Sequence, residues 1–218
     1  WSAAPLDLSG LRALDANIDL TLGTLRFQRM SFTDVALGLR IAGGAADARL
    51  TRISLYEGGG TARLIADGSG ATARVAVEID ARNIQAETLL RDAIGFDKII
   101  GRGRLTASLV GQGASQAAIM RSLSGNAAFN FNDGQWKGVN LAQVARTVQS
   151  ALTGAAAGES GATDFAELAA TLQIAGGVAA TQDMRMLNPF VRLEGTGLID
   201  IGGQSIDMRI APRAVRSA

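Results

Sequence analysis

Two pairs of carboxylates lie close enough in sequence to act together as a general acid and a general base. Asp15 and Asp19 are four residues apart, and Glu78 and Asp80 are two apart, on the polar side of alternating segments. Such pairs catalyse reactions when a pocket separates their pKa values. No pocket pattern surrounds either pair, so we interpret them as solvated surface residues and expect no catalytic residue.

The composition removes other common catalytic and metal-binding groups. The chain of 218 residues contains no His and no Cys. Thiolate nucleophiles, an imidazole general base and a zinc site of the usual kind are therefore excluded. We expect a protein that is not an enzyme and that holds no metal and no cofactor.

A glycine-rich stretch, GRGRLTASL from Gly101, is similar to a phosphate-binding loop. Such a loop follows a strand and opens a helix, whereas these glycines lead into a strand, so they predict a turn. Arginine forks suit lipid phosphates, although an ordinary charged surface is the simpler interpretation of the arginines near this stretch: Arg82, Arg91, Arg102, Arg104 and Arg121.

The overall charge and composition favour a β protein that does not bind nucleic acid. The net charge is only +1, and acidic and basic residues are interspersed without a basic stripe. Hydrophobic residues make up 47% of the chain, with 27 Gly and only 3 Pro. Many short strands separated by glycine turns would account for this composition.

The stretch from Leu123 to Leu152 is the clearest structural unit. Its apolar residues first alternate with polar ones, and Asp133-Gly134 then predicts a tight hairpin turn into a second short strand. The apolar spacing becomes helical over 141–152. Residues 153–163 are small and predict a flexible surface loop.

Other segments repeat these elements. A helix is predicted over Ile84–Ile94 with Gly95 as its stop, and Ser115 is predicted to cap a further short helix. The remaining chain alternates apolar and polar residues between glycine turns, as at Gly43-Gly44.

The two halves of the chain resemble each other. LRIAGGAADARL matches LQIAGGVAATQDM at an offset of about 133 residues, and LDANIDLTLG matches LSGNAAFNFNDG at an offset of about 110. The helix and loop at 140–163 would account for the difference. We predict a lead-in over 1–16 and one β domain over 17–218, with related halves at about 17–113 and 123–211.

Nearly every predicted strand has one apolar and one polar face, and the predicted helices are too short to cover the apolar side. We therefore predict a mostly β fold: a curled antiparallel sheet with two to four short helices. Three arrangements stay open, namely closure into a barrel, a two-layer sandwich, or a groove that another molecule fills.

The apolar side chains are slender and aliphatic, which suits linear hydrocarbon chains. Burying a lipid tail is favourable by about 0.8 kcal/mol per methylene. The residues that would line such a groove are Ile18, Leu20, Leu22, Val35, Leu37, Leu39, Val75, Val77, Ile79, Leu105, Leu109, Phe129, Phe131, Leu172, Ile174, Leu193 and Met208.

Two long runs resemble the carboxy-terminal region of AsmA-type proteins. They are GRGRLTASLVGQGASQAAIMRSLSGNAAFNFNDGQWKGVNLAQVAR, from Gly101 to Arg146, and the run from Thr163 that begins TDFAELAATLQIAGGVAATQ. The opening WSAAPLDLSGLRALDANIDL resembles the linker into that region.

The resemblance implies a bacterial protein that is anchored in the inner membrane by an amino-terminal helix and projects into the periplasm. It also implies similarity to bridge-like lipid-transfer proteins, whose curled sheets carry an apolar groove, and a link to phospholipid traffic and outer-membrane assembly. The chain has no apolar run of membrane-spanning length, so we expect the anchor upstream.

Two functions follow as expectations. In the first, the apolar groove shelters the acyl chains of phospholipids or other lipids. In the second, an exposed sheet edge recruits outer-membrane assembly proteins by strand addition.

Overall fold

One continuous antiparallel sheet forms most of the described part of the protein. The computed structural model describes residues 1–27, 30–138, 161–188 and 191–214. Within them, eleven strands pair with their neighbours in chain order, and the sheet is curled but not closed. The strands are β1 (Ala16–Phe27), β2 (Met30–Ala42), β3 (Ala45–Leu55), β4 (Gly58–Asp67), β5 (Ala73–Gln85), β6 (Ile99–Gly113), β7 (Ser124–Lys137), β8 (Ala162–Ala175), β9 (Val178–Leu187), β10 (Val191–Asp200) and β11 (Ser205–Ala214).

In the described ranges, two short helices interrupt the succession of strands, α1 (Ala86–Ile94) before β6 and α2 (Gln116–Ser122) after it. α1 ends at Gly95, whose φ is 74° and whose amide donates to the carbonyl of Arg91 at 2.9 Å. The hydroxyl of Ser115 caps α2 by accepting a hydrogen bond from the amide of Ala118 at 3.2 Å.

These observations confirm the predicted fold class, the stop at Gly95 and the cap at Ser115. The predicted helix over 141–152 lies outside the described residues, and so does the predicted loop up to residue 160.

The predicted hairpin turn at Asp133-Gly134 is wrong. Both residues lie inside β7, which continues to Lys137. Asp133 has a φ of 48°, and the register between β6 and β7 shifts beside it. The positive φ that suggested a turn is instead accommodated as a bulge within a longer strand.

The predicted turn at the GRGR stretch is also wrong, because Gly101 and Gly103 lie inside β6. Gly101 has a φ of 152°. A Cβ on Gly103 would collide with the carbonyl oxygen of Asn130 in β7. These glycines allow neighbouring strands to approach each other closely.

Residues 1–15, here called the strap, run along one rim of the sheet. The indole Nε1 of Trp1 donates to the carbonyl of Ile201 at 2.6 Å, beside the turn between β10 and β11. Arg12 lies in a short 3₁₀ turn, and its Nη2 donates to the carbonyl of Gly68 at 2.6 Å, at the turn between β4 and β5. The strap therefore joins distant ends of the sheet.

The two Gly-Gly sequences that support the internal repeat have the same geometry. Gly43 and Gly44 join β2 to β3 with φ values of 59° and 84°. Gly176 and Gly177 join β8 to β9 with φ values of 57° and 77°. The turns agree, but no observation bears on the two halves as units, so the duplication stays a prediction.

Candidate functional site

The apolar side chains line up in rows that cross the sheet. Directly opposed residues of antiparallel strands project from the same face. The first apolar row crosses all eleven strands through Ile18, Leu39, Ala48, Leu64, Val77, Leu109, Gly125, Ile174, Ala179, Ile199 and Ile206. The second runs from β1 to β8 through Leu20, Leu37, Leu50, Ala62, Ile79, Ala107, Ala127 and Leu172.

The registers place every predicted groove residue on this apolar face. Those outside the two rows lie an even number of residues from a row residue on the same strand and so project from the same face: Leu22, Val35, Val75, Leu105, Phe129, Phe131, Leu193 and Met208. That these residues line a lipid groove stays a prediction.

The protein buries only part of this face. Val35, Phe131, Ile174 and Leu193 are buried, so they contact protein and not solvent. Ile18 and Leu20 are 38% and 41% exposed, and the other predicted groove residues are half-buried. Leu64 and Ile206, which the prediction omitted, are 45% and 72% exposed in the first row.

α1 covers one margin of the apolar face. Its buried Ala86 belongs to a cluster with Phe131, Phe165, Leu168, Met186 and Leu193. Its Leu89 belongs to a second buried cluster with Leu55, Ala81 and Ile84. This part of the face is ordinary hydrophobic core.

Polar contacts hold α1 against the sheet. The hydroxyl of Tyr56 donates to Oδ2 of Asp92 at 2.5 Å, and Nζ of Lys137 donates to Oε1 of Glu87 at 2.6 Å. Burial raises the pKa of Tyr56, and the hydrogen bond to Asp92 raises it further. The tyrosine therefore stays protonated and continues to donate at any ordinary pH.

α2 and the strap border the opposite margin. Ile119 of α2 is 7% exposed and lies over Gly111 of β6, where a Cβ would approach its Cγ2 within 2.9 Å. The amide of Leu6 in the strap donates to the carbonyl of Ala114 at 2.8 Å. The exposed rows lie between these two margins.

The other face of the sheet carries ion pairs. Asp47 accepts from Arg49 at 2.7 Å and from Arg63 at 2.8 Å. Asp80 repeats the arrangement on β5 and β6, where it accepts from Arg82 at 2.8 Å and from Arg104 at 2.9 Å.

These contacts set the charge state of both carboxylates. The hydrogen bond from Arg63 holds the pKa of Asp47 well below its usual range, and the hydrogen bond from Arg82 does the same for the pKa of Asp80. Both carboxylates are therefore ionised at neutral pH and held in place by arginines. Sequence reasoning missed this arrangement, although the tripeptide Asp-Ala-Arg at 47–49 and again at 80–82 was its signal.

The structure does not assemble the considered carboxylates or arginines into one site. Asp15 accepts from the amide of Gly43 at 3.3 Å, at the rim. Arg91 pairs with Asp92 at 3.2 Å and Arg102 pairs with Glu57, while Arg121 lies on α2 at the other end of β6.

A cavity of about 820 Å³ opens among β5, β6 and β7, and most of the residues that line it have polar or charged side chains. Among the side chains that line it, Asn130 donates a hydrogen bond to Glu167 at 2.7 Å, and Arg104 forms an ion pair with Asp80. This cavity does not have the chemistry of an acyl-chain site, so the candidate site is the apolar face.

Among the residues that the structure describes, no group of three or more acidic side chains is placed to hold a metal ion. No helix in these ranges is both long and apolar enough to cross a membrane.

Comparison with known proteins gives a family match and one informative relative. The model of the AsmA family matches residues 1–184. Protein AsmA of Escherichia coli strain K12 is 23% identical over 211 residues, which cover 94% of this chain and 34% of that protein. The chain thus spans about a third of the length of this curated relative. No solved structure matches the chain significantly.

Proposed function

Because this chain belongs to the AsmA family, we propose that its open apolar face shelters lipid acyl chains in phospholipid transport and outer-membrane assembly. The module acts without enzymatic activity, on the periplasmic side of the bacterial inner membrane, to which the full-length protein is anchored. The observation that carries the proposal is the first apolar row, which crosses the entire sheet and is exposed at Ile18, Leu64 and Ile206.

The length of the row favours a continuous track for several lipids rather than a pocket for a single lipid. Strands in a sheet lie about 4.8 Å apart, so a row across eleven strands is roughly 48 Å long. The hydrocarbon core of a bilayer is about 30 Å thick, so the acyl chains of one leaflet span about 15 Å. Several lipids would fit along the row one after another.

The chemistry of the two faces indicates which face of the sheet the acyl chains occupy. Each methylene removed from water contributes about 0.8 kcal/mol, and the apolar rows offer that burial with no charged side chain among them. The opposite face bears the ion pairs of Asp47 and Asp80. Acyl chains therefore lie on the face that α1 and α2 border.

A crosslinking experiment tests the proposal directly. A photoreactive amino acid at Leu64, which is 45% exposed on the apolar face, should crosslink to phospholipid in the bacterial envelope. The same group at Thr61, exposed on the opposite face of β4, is the matched control and should not. Solvent extraction of the purified protein, followed by mass spectrometry, should recover phospholipid.

Equal labelling of lipid at both positions, or no lipid at either, would overturn the proposal. Leu64 and Thr61 lie on the same strand, so a difference between them reports the face and not the depth in the envelope.

A second candidate function rests on the sheet edges. Among the described residues, β1 and β11 each pair with one strand only, so their outer edges offer backbone donors and acceptors. An outer-membrane assembly protein would bind there by adding a strand. Protein adducts that persist when Leu64 is made polar would support this function over lipid shelter.

A further inference from the structure

Two bulges flank the cavity among β5, β6 and β7, here called the β6 cavity. The register between β5 and β6 shifts between Ala81 and Ile84, and Asn83 in this bulge has a φ of 55°. On the other side of β6, Asp133 has a φ of 48° within the bulge of β7. A bulge bends its strand and changes the direction of its side chains. The cavity of about 820 Å³ lies between these two bent strands.

Amide and guanidinium groups of three strands face the β6 cavity. Directly opposed residues project from the same face of a sheet. Two rows of opposed residues line the cavity in this way: Gln85, Arg102 and Asn132 in one, and Arg104 and Asn130 in the next. Because Arg104 pairs with Asp80, this is the face that carries the ion pairs, opposite the apolar rows.

Each arginine that lines the β6 cavity is already paired with a carboxylate. Arg102 pairs with Glu57, and Arg104 pairs with Asp80 at 2.9 Å. Asp133 adds a further negative charge to the lining. An anion such as phosphate binds strongly where arginines present unpaired positive charge. The cavity therefore favours an uncharged ligand that forms hydrogen bonds without displacing these carboxylates.

The side chains of the β6 cavity keep hydrogen-bonding groups for such a ligand. Nδ2 of Asn130 donates to Glu167 at 2.7 Å, which leaves its carbonyl oxygen for another donor. Nε and Nη2 of Arg104 donate to Asp80 at 3.1 and 2.9 Å, which leaves Nη1. The side chain of Asn132 makes no hydrogen bond with another described residue. Donors and acceptors thus lie side by side, and hydroxyl groups satisfy both because each hydroxyl donates and accepts.

A second cavity, of about 320 Å³, continues from the β6 cavity across the sheet. It shares Arg104 and Asn130 with the first cavity and extends to Arg185 on β9. Arg185 is also neutralised, because it pairs with Glu167 at 2.8 Å. Together the two cavities cross five strands, from β5 to β9, which is roughly 19 Å at a strand spacing of about 4.8 Å. This length suits a chain of linked units better than one small molecule.

We propose that the two cavities bind a neutral saccharide of several linked sugar units. A planar amide or guanidinium group can hydrogen-bond to two neighbouring hydroxyls of one sugar ring. A peptide fits less well, because peptide-binding grooves provide pockets for side chains. Of the described residues that line the β6 cavity, only Ile100 carries an apolar side chain. The saccharide site goes beyond the proposed function, since it lies on the face opposite the acyl chains.

Titration with neutral oligosaccharides tests the site. Maltotriose or N-acetylchitotriose, added to about 10 mM, should shift the amide resonances of residues 85, 102 and 132 in an NMR spectrum of the chain. Asn132→Ala should weaken binding at least about fivefold, which corresponds to the loss of one hydrogen bond. Asn126→Ala is the matched control, because Asn126 is exposed on the same face of β7 but lies outside both cavities. It should bind the saccharide like the unsubstituted chain.

Several results would overturn the saccharide site. Absence of shifts with both oligosaccharides is one, and equal weakening by Asn132→Ala and Asn126→Ala is another. Displacement of the oligosaccharide by inorganic phosphate at a lower concentration would show an anion site instead, and displacement by a short neutral peptide would show a peptide site. Crosslinking of phospholipid at Leu64 is a separate measurement on the other face, so failure of the saccharide site leaves the proposed function intact.

Discussion

The apolar face is closed in one region and open in another, although similar residues build both. Leu168 and Met186 beside α1 are 1% and 0% exposed, whereas Leu64 and Leu20 are 45% and 41% exposed. The first pair lies in the cluster that includes Ala86 of α1, and the second pair lies in the rows that cross the sheet. An alternating strand thus determines which face is apolar, but the covering element determines whether that face becomes core.

The largest expected effect comes from truncating one leucine in each region. Leu168→Ala should lower the free energy of unfolding by about 2–5 kcal/mol, because it leaves a cavity in closed core. Leu64→Ala removes the same atoms from an exposed site and should cost less than about 1 kcal/mol. Urea denaturation measures both, and similar costs would show that the two regions are packed alike.

A charge placed in the open region should weaken lipid binding without impairing folding. Leu64→Asp should weaken binding of a fluorescent fatty acid by about tenfold, because the acyl chain would have to desolvate a carboxylate. Thr61→Asp on the other face of β4 is the matched control and should leave binding unchanged. Equal losses in a fluorescence titration would contradict the assignment of the open face.

Loosening α1 should affect only the closed region. Tyr56→Phe removes the hydrogen bond to Asp92 but keeps the aromatic ring, and should cost about 1 kcal/mol. Hydrogen exchange should accelerate at the amides of α1 and stay unchanged in β1 and β11. A uniform increase throughout the sheet would show that closure does not depend on α1.

The smallest expected effect on stability comes from the ion pairs on the polar face, opposite the open region. In the folded protein, the pKa values of Asp47 and Asp80 lie below the ordinary value of about 3.9. The unfolded chain therefore binds more protons than the folded one below that pH. Their contribution to stability is present above about pH 4 and is lost as the pH falls. Denaturation of an Asp47→Asn/Asp80→Asn variant should show a shallower loss of stability below about pH 4. An unchanged slope would mean that these pairs add nothing.

The sequence predicted the faces of the strands well, because alternation is a local property. Ile18, Leu20 and Leu22 show the period of two, and all three lie on the apolar face. The glycines were harder to interpret. Gly134 and Gly103 have the local pattern of turns, but both lie inside strands, since their role depends on how closely the next strand approaches.

Burial within the candidate site could not be predicted in the same way. Phe131 and Phe129 are two residues apart on one strand, yet only Phe131 is buried. Val35 has the same alternating pattern as Leu37, which is only half-buried. The burial of Val35 depends on tertiary packing that spacing along the chain does not encode. The strap was missed because its anchors are backbone carbonyls far away in sequence, such as that of Gly68.

The strap also has a consequence for the order of folding. Every strand pairs with its neighbours in sequence, so hairpins can close one after another at low entropic cost. The hydrogen bond from Trp1 to Ile201 spans 200 residues and requires β10 to be in place. Docking of Trp1 is therefore a late step in folding, and the hydrogen bond of its indole marks completion of the sheet.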